Sequence, residues 1–209
     1  MKIAVLISGR GSNMENLIKA SHLSNNRSQI VQVLSNRKDA PGIKVAQQLG
    51  VATEIIEHST FDSRNSFEEK LTSSLENGGA ELICLAGFMR ILSPHFVTRW
   101  HNKLLNIHPS VLPAFKGLDT HKRAIEAGAR FSGCTVHFVR PNMDAGPIIL
   151  QAITPVKSGE TETQLAQRIL HLEHQCYPLA VDWIARGAVS IVNEQVILDD
   201  TVGPSQSIT

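Results

Sequence analysis

An amide and an imidazole two residues apart are the side chains of this sequence best suited to chemistry. Asn106 and His108 end an apolar run that begins at Leu104, and Pro109 and Pro113 follow them. Alternate residues of a strand share a face, so both side chains are expected on one side of the strand. An imidazole can move a proton or polarise a carbonyl group, and an amide can donate to a developing oxyanion. The pair predicts carbonyl chemistry, although a single histidine at a strand end is commonly just a hydrogen-bonded polar residue.

A carboxylate in a turn-rich loop is the candidate partner of His108. Asp144 stands in the segment MDAGP, where aspartate commonly serves only as a turn former. If it faces the imidazole instead, its charge stabilises the imidazolium. Asn106, His108 and Asp144 would then form an acid–base and oxyanion set in which no serine or cysteine nucleophile is nominated. Such a set favours direct transfer of a carbonyl group over a covalent enzyme intermediate.

The segment SGRGSN, residues 8–13, follows the first predicted strand and opens the first predicted helix. Glycines let the backbone approach an anion, and N–H groups at a helix N-terminus carry partial positive charge. The spacing is not that of the Walker phosphate loop, and no glycine stands at the last position of the dinucleotide fingerprint. The segment predicts either a phosphate site or a plain strand-to-helix turn, with Ser12 or Asn13 as the helix N-cap.

Apolar strands separated by helices must position these residues. Strand patterns cover residues 2–7, 30–34, 51–56, 81–86 and 103–107, and helix patterns follow residue 13 and cover 43–49 and 64–76. Strands that are apolar along their length predict a buried, mostly parallel sheet. Farther along we expect a short helix within 117–128, strands at 134–139 and 148–156, a capped helix at 162–186 and a hairpin at 189–198. The sequence therefore predicts an α/β fold with a Rossmann-like, open, mostly parallel twisted sheet flanked by helices.

The composition limits the partners. The 209 residues, 42% hydrophobic and 19% charged, predict one soluble domain over 1–200, with halves near 1–100 and 101–200 and a disordered tail at 201–209. A net charge of +1 disfavours nucleic acid as the main ligand. Three scattered cysteines predict reduced thiols, and no cysteine or histidine spacing suggests a metal. Since no apolar run approaches membrane length, we expect a cytoplasmic protein without a membrane partner. We expect it to be a monomer or a homodimer.

Five motifs resemble the folate-dependent formyltransferase superfamily. LLNIHPSVLPAFKG and DAGPIILQ resemble its N-x-H-P-S-x-L-P signature and its D-x-G-x-I-x-Q loop. LISGRGSN, LAGFMRILS and LEHQCYP are similar to segments of the members that formylate glycinamide ribonucleotide in purine synthesis. The resemblance implies the formyltransferase fold. It also implies direct transfer of a formyl group from 10-formyltetrahydrofolate to the amine of glycinamide ribonucleotide, through a tetrahedral intermediate.

The resemblance implies roles for individual residues as well. Asn106, His108 and Asp144 match the catalytic set. The phosphoribosyl substrate is matched by Gly11, Ser12 and Asn13 at its phosphate and by Glu173 at its ribose. The folate site is matched by Arg64, Met89, Arg90, Ile91, Leu92, Phe96, Val97, Leu104, Arg140, Pro141, Asn142 and Met143. From their pattern alone, residues 87–92 are most simply interpreted as a core segment. The alternative is that they line an apolar pocket. We expect residues 110–130 to form a lid that excludes water.

Other functions stay open at this stage. A formyltetrahydrofolate hydrolase would use water in place of the amine, and a methionyl-tRNA formyltransferase would act on a nucleic acid. We expect neither, because we expect no regulatory domain before the first strand and no tRNA-binding domain after the last. A non-catalytic nucleotide-binding module would use residues 8–13 alone, and it leaves the set of Asn106, His108 and Asp144 unexplained.

Overall fold

Residues 1–202 of the chain are described by the computed structural model. They divide into two compact units, which join in the sequence between Asn106 and Ile107. Of the predicted tail, 201–209, only Thr201 and Val202 are among the described residues. Within residues 1–202, no helix is long and apolar enough to cross a membrane.

The first unit alternates strands and helices, as the sequence predicts. Its elements are β1 (Lys2–Ile7), α1 (Ser12–Ser21), β2 (Gln29–Ser35), α2 (Gly42–Gln48), β3 (Ala52–Ile55), α3 (Arg64–Asn77), β4 (Leu82–Leu85), α4 (Pro94–Arg99) and β5 (Leu104–His108), with a 3-10 turn at His58–Thr60. The strands pair in parallel in the order β3-β2-β1-β4-β5. The strand order reverses at β1, so the loops after β1 and β4 flank the crevice in which open α/β sheets bind ligands.

The core of this unit forms around β1. The side chains from Ile3 to Ile7 have no exposed surface, and Met14, Leu17 and Ile18 of α1 are buried as well. Burying one large aliphatic side chain stabilises the fold by roughly 1.5–3 kcal/mol. A strand that is apolar at every position can gain this only between two covered faces, which explains its central place in the sheet.

Two local predictions for the first unit are wrong. The N-cap of α1 is Gly11, not Ser12 or Asn13, because the turn needs a φ of 71°, which glycine adopts without steric cost. Residues 87–92 are not a continuous core segment, because Met89 and Ile91 are 71% and 66% exposed and only Leu92 is buried. An apolar pattern marks burial only where strand or helix geometry fixes the direction of each side chain, and these residues form a loop.

The second unit contains an antiparallel pair covered by one long helix. Its elements are α5 (Thr120–Glu126), β6 (Phe131–Phe138), β7 (Ile148–Pro155), α6 (Glu162–Ala185) and the hairpin of β8 (Val189–Val192) and β9 (Gln195–Leu198). Helix α6 packs against β6 and β7. A reciprocal capping box starts it: Thr161 Oγ1 accepts the Gln164 N–H, and Gln164 Oε1 accepts the Thr161 N–H. The predicted capped helix and terminal hairpin are confirmed.

The strands β1 to β7 form one seven-stranded sheet in the order β3-β2-β1-β4-β5-β6-β7. The sheet is mostly parallel and is flanked by helices, so the predicted fold class is confirmed.

Candidate active site

His108 and Asp144 lie side by side in the second unit. His108 is the last residue of β5, and Asp144 lies in the loop between β6 and β7. Asp144 Oδ2 is 3.4 Å from His108 Nδ1, and the two side chains are only 11% and 6% exposed. Because little water screens them, opposite charges at this distance attract more strongly than a surface ion pair does.

The other ring nitrogen of His108 faces a main-chain carbonyl. His108 Nε2 is 3.0 Å from Phe115 O. A carbonyl oxygen accepts hydrogen bonds and does not donate them, and the same is true of an ionised carboxylate. Both ring nitrogens of His108 therefore face oxygen atoms.

The backbone of two loops holds Asp144 against the imidazole. Asp144 has a φ of 47°, in the left-handed region that aspartate tolerates better than most residues. Its Oδ2 accepts the Gly117 N–H at 2.8 Å. At Gly146 an added Cβ would lie 1.8 Å from Phe138 O, so only glycine lets this loop approach β6. The carboxylate is thus fixed from both sides.

The first part of the predicted lid is tied to β6 and β7. Thr135 Oγ1 donates to Ser110 O at 2.7 Å and accepts the Leu112 N–H at 3.0 Å. Gln151 Nε2 donates to Leu112 O at 2.8 Å. The Leu112–Pro113 peptide bond is cis. Residues 110–112 are therefore anchored to the sheet by side chains of neighbouring strands.

Arg123 of α5 holds the next part of the lid. Its Nη1 donates to Lys116 O at 2.6 Å and to Leu118 O at 3.2 Å. Its guanidinium carbon also lies 5.8 Å from the centre of the Phe115 ring. The two carbonyl groups flank Gly117, whose N–H donates to the Asp144 carboxylate. Arg123 therefore fixes the backbone that positions the carboxylate.

A second imidazole lies near Asp144, and sequence reasoning missed it. His137 on β6 is 2% exposed, and its Nδ1 donates to Phe138 O at 2.9 Å. Its Nε2 is 3.9 Å from Asp144 Oδ1. Burial lowers the pKa of His137, against the opposing effects of the Phe138 carbonyl and Asp144. The sequence pattern predicts a strand residue without chemistry, because only the pairing of β6 with β7 reveals its neighbour.

Asn106 is the last residue of the first unit and lies on β5, two positions before His108. It pairs in register with Leu85 at the carboxyl end of β4 and is half-buried. The alternation of side chains along β5 directs Asn106 and His108 to the same side of the strand.

The turn between β1 and α1 presents main-chain N–H groups. Gly11 caps the helix and has no side chain to bond with, and the first N–H groups of a helix have no carbonyl partner within it. Gly42 packs against this turn and donates its N–H to Gly9 O at 3.1 Å. Ser12 is half-buried and Asn13 is buried. This geometry suits an anion.

The residues matched to a folate site in the first unit form two groups. Met89, Ile91 and Arg64 are exposed. Arg90 is not a plainly solvated charge, because its guanidinium carbon lies 5.3 Å from the centre of the Phe67 ring. The second group is at most 8% exposed and belongs to the core: Leu92, Phe96, Val97 and Leu104.

The matched loop of the second unit is anchored at its start. Arg140 Nε and Nη2 donate to the two carboxylate oxygens of Glu194 at 2.6 and 3.2 Å. Glu194 lies in the turn between β8 and β9. Pro141, Asn142 and Met143 are exposed between this ion pair and Asp144. The loop is therefore held at both ends and exposes the three side chains between them.

Glu173, matched to the ribose of the substrate, is buried on α6. A hydrogen bond with Cys176, burial and the charge of Glu173 together raise the pKa of Cys134. All three cysteines are buried, and none of them forms a disulfide. Among residues 1–202, no group of three or more His, Cys, Asp or Glu side chains is arranged to hold a metal ion.

Comparison with known proteins identifies the family. A family model described as formyl transferase matches residues 1–181. The chain belongs to the formyl transferase family. This membership confirms the resemblance that the sequence motifs carry.

Two relatives and one solved structure extend the match. Phosphoribosylglycinamide formyltransferase of Escherichia coli (strain K12) is 42% identical over 206 residues, 99% of this chain and 97% of that protein. Trifunctional purine biosynthetic protein adenosine-3 of Gallus gallus is 47% identical over 91% of this formyl transferase, which spans only 19% of that larger protein. The crystal structure of glycinamide ribonucleotide transformylase 1 from Symbiobacterium toebii has a TM-score of 0.93 and 40% identity, covering 96% of this chain and 94% of that one.

Proposed function

We propose that this formyl transferase moves the formyl group of 10-formyltetrahydrofolate to the amine of glycinamide ribonucleotide, a step of purine synthesis, and releases tetrahydrofolate. The observation that carries the proposal is the shielded pair of His108 and Asp144. It occurs in a chain similar over nearly its whole length to a protein named phosphoribosylglycinamide formyltransferase. The pair offers a cationic donor for an oxyanion, which direct acyl transfer needs.

Each residue of the catalytic set has one assigned task. Attack of the amine on the formyl carbon forms the new C–N bond and places negative charge on the formyl oxygen. We assign the stabilisation of that oxygen to the Asn106 amide and to an N–H of His108. Asp144 occupies the Nδ1 side of the ring, so Nε2 serves the substrate when the Phe115 carbonyl gives way.

Collapse of the tetrahedral intermediate breaks the bond between the formyl carbon and the folate nitrogen. The attacking amine loses one proton and the departing nitrogen gains one, and we assign the transfer of this proton to the imidazole of His108, directly or through one water. We assign His137 the positioning of Asp144 and no contact with the substrate. It approaches Asp144 Oδ1, whereas His108 faces Asp144 Oδ2. The route uses side-chain donors and needs no metal.

The two substrates have separate binding groups in the proposal. The backbone of Gly11, Ser12 and Asn13 takes the phosphate, since it presents N–H groups at a helix start. Glu173 takes a ribose hydroxyl. We assign the folate to the matched segments 89–91 and 141–143, and an acidic tail of the folate to the exposed Arg64.

The compartment and the assembly are part of the proposal. Three free thiols support a reducing environment, so we place the enzyme in the cytoplasm. Its partners are the two small molecules, and it acts as a monomer or a homodimer.

Product identification tests the proposed reaction. The enzyme is incubated with a donor labelled with carbon-13 in the formyl group and with glycinamide ribonucleotide, and the products are analysed by mass spectrometry. The proposal requires the label in a formylated nucleotide. Labelled formate without labelled nucleotide would mean that water, not the amine, is the acceptor.

A further inference from the structure

The loop that joins β4 to α4, residues 86–93, is held at both ends by side chains that no role above explains. We call it the β4–α4 segment. It contains Met89 and Ile91, which expose 71% and 66% of their surface. Two large apolar side chains exposed on one loop form a surface that suits a ligand with an apolar part. The inference rests on the proposed function, in which this segment binds the folate donor.

Ser8 holds the start of the segment. Its N–H donates to Gly87 O at 3.1 Å, and its Oγ accepts the Met89 N–H at 2.8 Å. The Ser8 hydroxyl itself donates to Asn36 Oδ1 at 2.5 Å. Ser8 is 5% exposed and Asn36 is 3% exposed, so water does not compete for these bonds.

Glu68 holds the end of the segment. This residue of α3 is 5% exposed, although carboxylates are rarely buried unless they are paired. Its Oε1 accepts the Ser93 N–H at 2.7 Å, and its Oε2 accepts the Ser93 hydroxyl proton. Ser93 Oγ in turn accepts the Phe96 N–H at 3.1 Å and caps α4. One carboxylate thus fixes the last residue of the segment and the first turn of the next helix.

The middle of the segment also rests on α3. The Arg90 guanidinium lies over the ring of Phe67, the residue before Glu68. A cation over an aromatic face contributes roughly 0.5–1 kcal/mol at an exposed site. The contacts from Phe67 and Glu68 therefore come from adjacent residues of one helix, and Arg64 begins the same helix.

We propose that Glu68 is a positioning residue for the folate donor. It does not touch the donor, because its carboxylate is buried and used by Ser93. It holds the β4–α4 segment so that Met89 and Ile91 stay in the place where the donor binds. Loss of the carboxylate leaves the Ser93 N–H without its acceptor, and the segment becomes mobile. Affinity for the donor then falls, while the binding of the nucleotide is unchanged.

The experiment compares Glu68→Leu, Glu68→Gln and Glu69→Gln. Glutamine at 68 keeps an oxygen for the Ser93 N–H and is the conservative rescue. Glu69 is the exposed neighbour on α3 and is the matched control for loss of one charge. We expect Glu68→Leu to raise KM for 10-formyltetrahydrofolate about tenfold, since the variant loses both hydrogen bonds that hold Ser93. KM for glycinamide ribonucleotide should stay within twofold, with Glu68→Gln between wild type and Glu68→Leu.

Hydrogen exchange of peptides covering residues 86–93 separates this inference from the proposed function. We expect faster exchange there in Glu68→Leu and wild-type rates in Glu69→Gln. If Glu68→Leu does not fold, Ser93→Ala replaces it, because it removes the hydroxyl bond to Glu68 and the cap of α4 but keeps the main-chain bond to the carboxylate. An unchanged donor KM in a folded variant with faster exchange would overturn the positioning role. A wild-type enzyme that does not use the formyl donor at all would instead overturn the proposed function.

Discussion

The substitution Asp144→Asn separates the charge of this carboxylate from its shape. Asparagine has nearly the same size, and its amide oxygen can still accept the Gly117 N–H that now lies 2.8 Å away. Asparagine also tolerates the φ of 47° at this position. What is lost is the negative charge 3.4 Å from His108 Nδ1.

The size of the effect follows from that distance. At an effective dielectric constant of about 20, unit charges 3.4 Å apart attract by roughly 5 kcal/mol. The dipole of the new amide and entering water recover part of this, so we expect a loss of about 3–4 kcal/mol in transition-state stabilisation. Since about 1.4 kcal/mol is tenfold in rate, kcat falls roughly 10²- to 10³-fold.

The assay is steady-state deformylation of the folate donor, followed by absorbance, with both substrates present. Asp119→Asn is the matched control, because it removes the same charge from an exposed residue of the lid. We expect the control to keep wild-type kcat and Asp144→Asn to keep KM for the nucleotide within a few-fold. A kcat within tenfold of wild type in folded Asp144→Asn would refute the electrostatic role of this carboxylate.

The other predictions concern the surroundings of this pair. Burial lowers the pKa of His137, so the folded state binds fewer protons than the unfolded chain, and the free energy of unfolding falls as pH drops below about 6.5. In urea denaturation, the free energy of unfolding of His137→Gln should depend less steeply on pH than that of the wild type. An equal pH dependence would contradict this prediction. Gly146→Ala should lower Tm and kcat together, because the new Cβ would lie 1.8 Å from the carbonyl oxygen of Phe138. A wild-type Tm in thermal denaturation of this variant would disprove the close approach. Arg123→Ala should lower kcat about 2- to 10-fold and Arg123→Lys should lower it less, since two hydrogen bonds from Arg123 hold the backbone of the predicted lid. Steady-state kinetics that are the same for the two variants would contradict a role of these hydrogen bonds. Ser12→Asp should raise KM for the nucleotide at least about tenfold by repelling its phosphate, with KM for the donor unchanged; the reverse pattern in steady-state kinetics would reject the phosphate site.

The fold was largely predictable because the type of a residue largely determines whether its side chain is buried. The run from Ile3 to Ile7 is apolar at every position, and only a strand covered on both faces accommodates it. Helix α4 was missed because it has six residues, of which only Phe96 and Val97 are buried. The N-cap at Gly11 was missed because a backbone angle, not a side chain, decides it.

The site was predictable only where its members carry a local signal. Asn106 and His108 share one strand, and Asp144 stands in a turn-rich loop, where it was the candidate partner of the imidazole. His137 has no such signal, because its place beside Asp144 depends on the pairing of β6 with β7. The ion pair of Arg140 with Glu194 joins residues 54 positions apart, and the pattern around either residue does not reveal the other.

Formyl transfer to an amine, with His108 and Asp144 in place, is the central claim. The most direct measurement is the rate of donor deformylation with and without glycinamide ribonucleotide, in wild type and in His108→Ala. We predict turnover only when the nucleotide is present, and a loss of several orders of magnitude in the variant. Turnover without the nucleotide would make the enzyme a hydrolase, and wild-type turnover in His108→Ala would contradict the assigned chemistry.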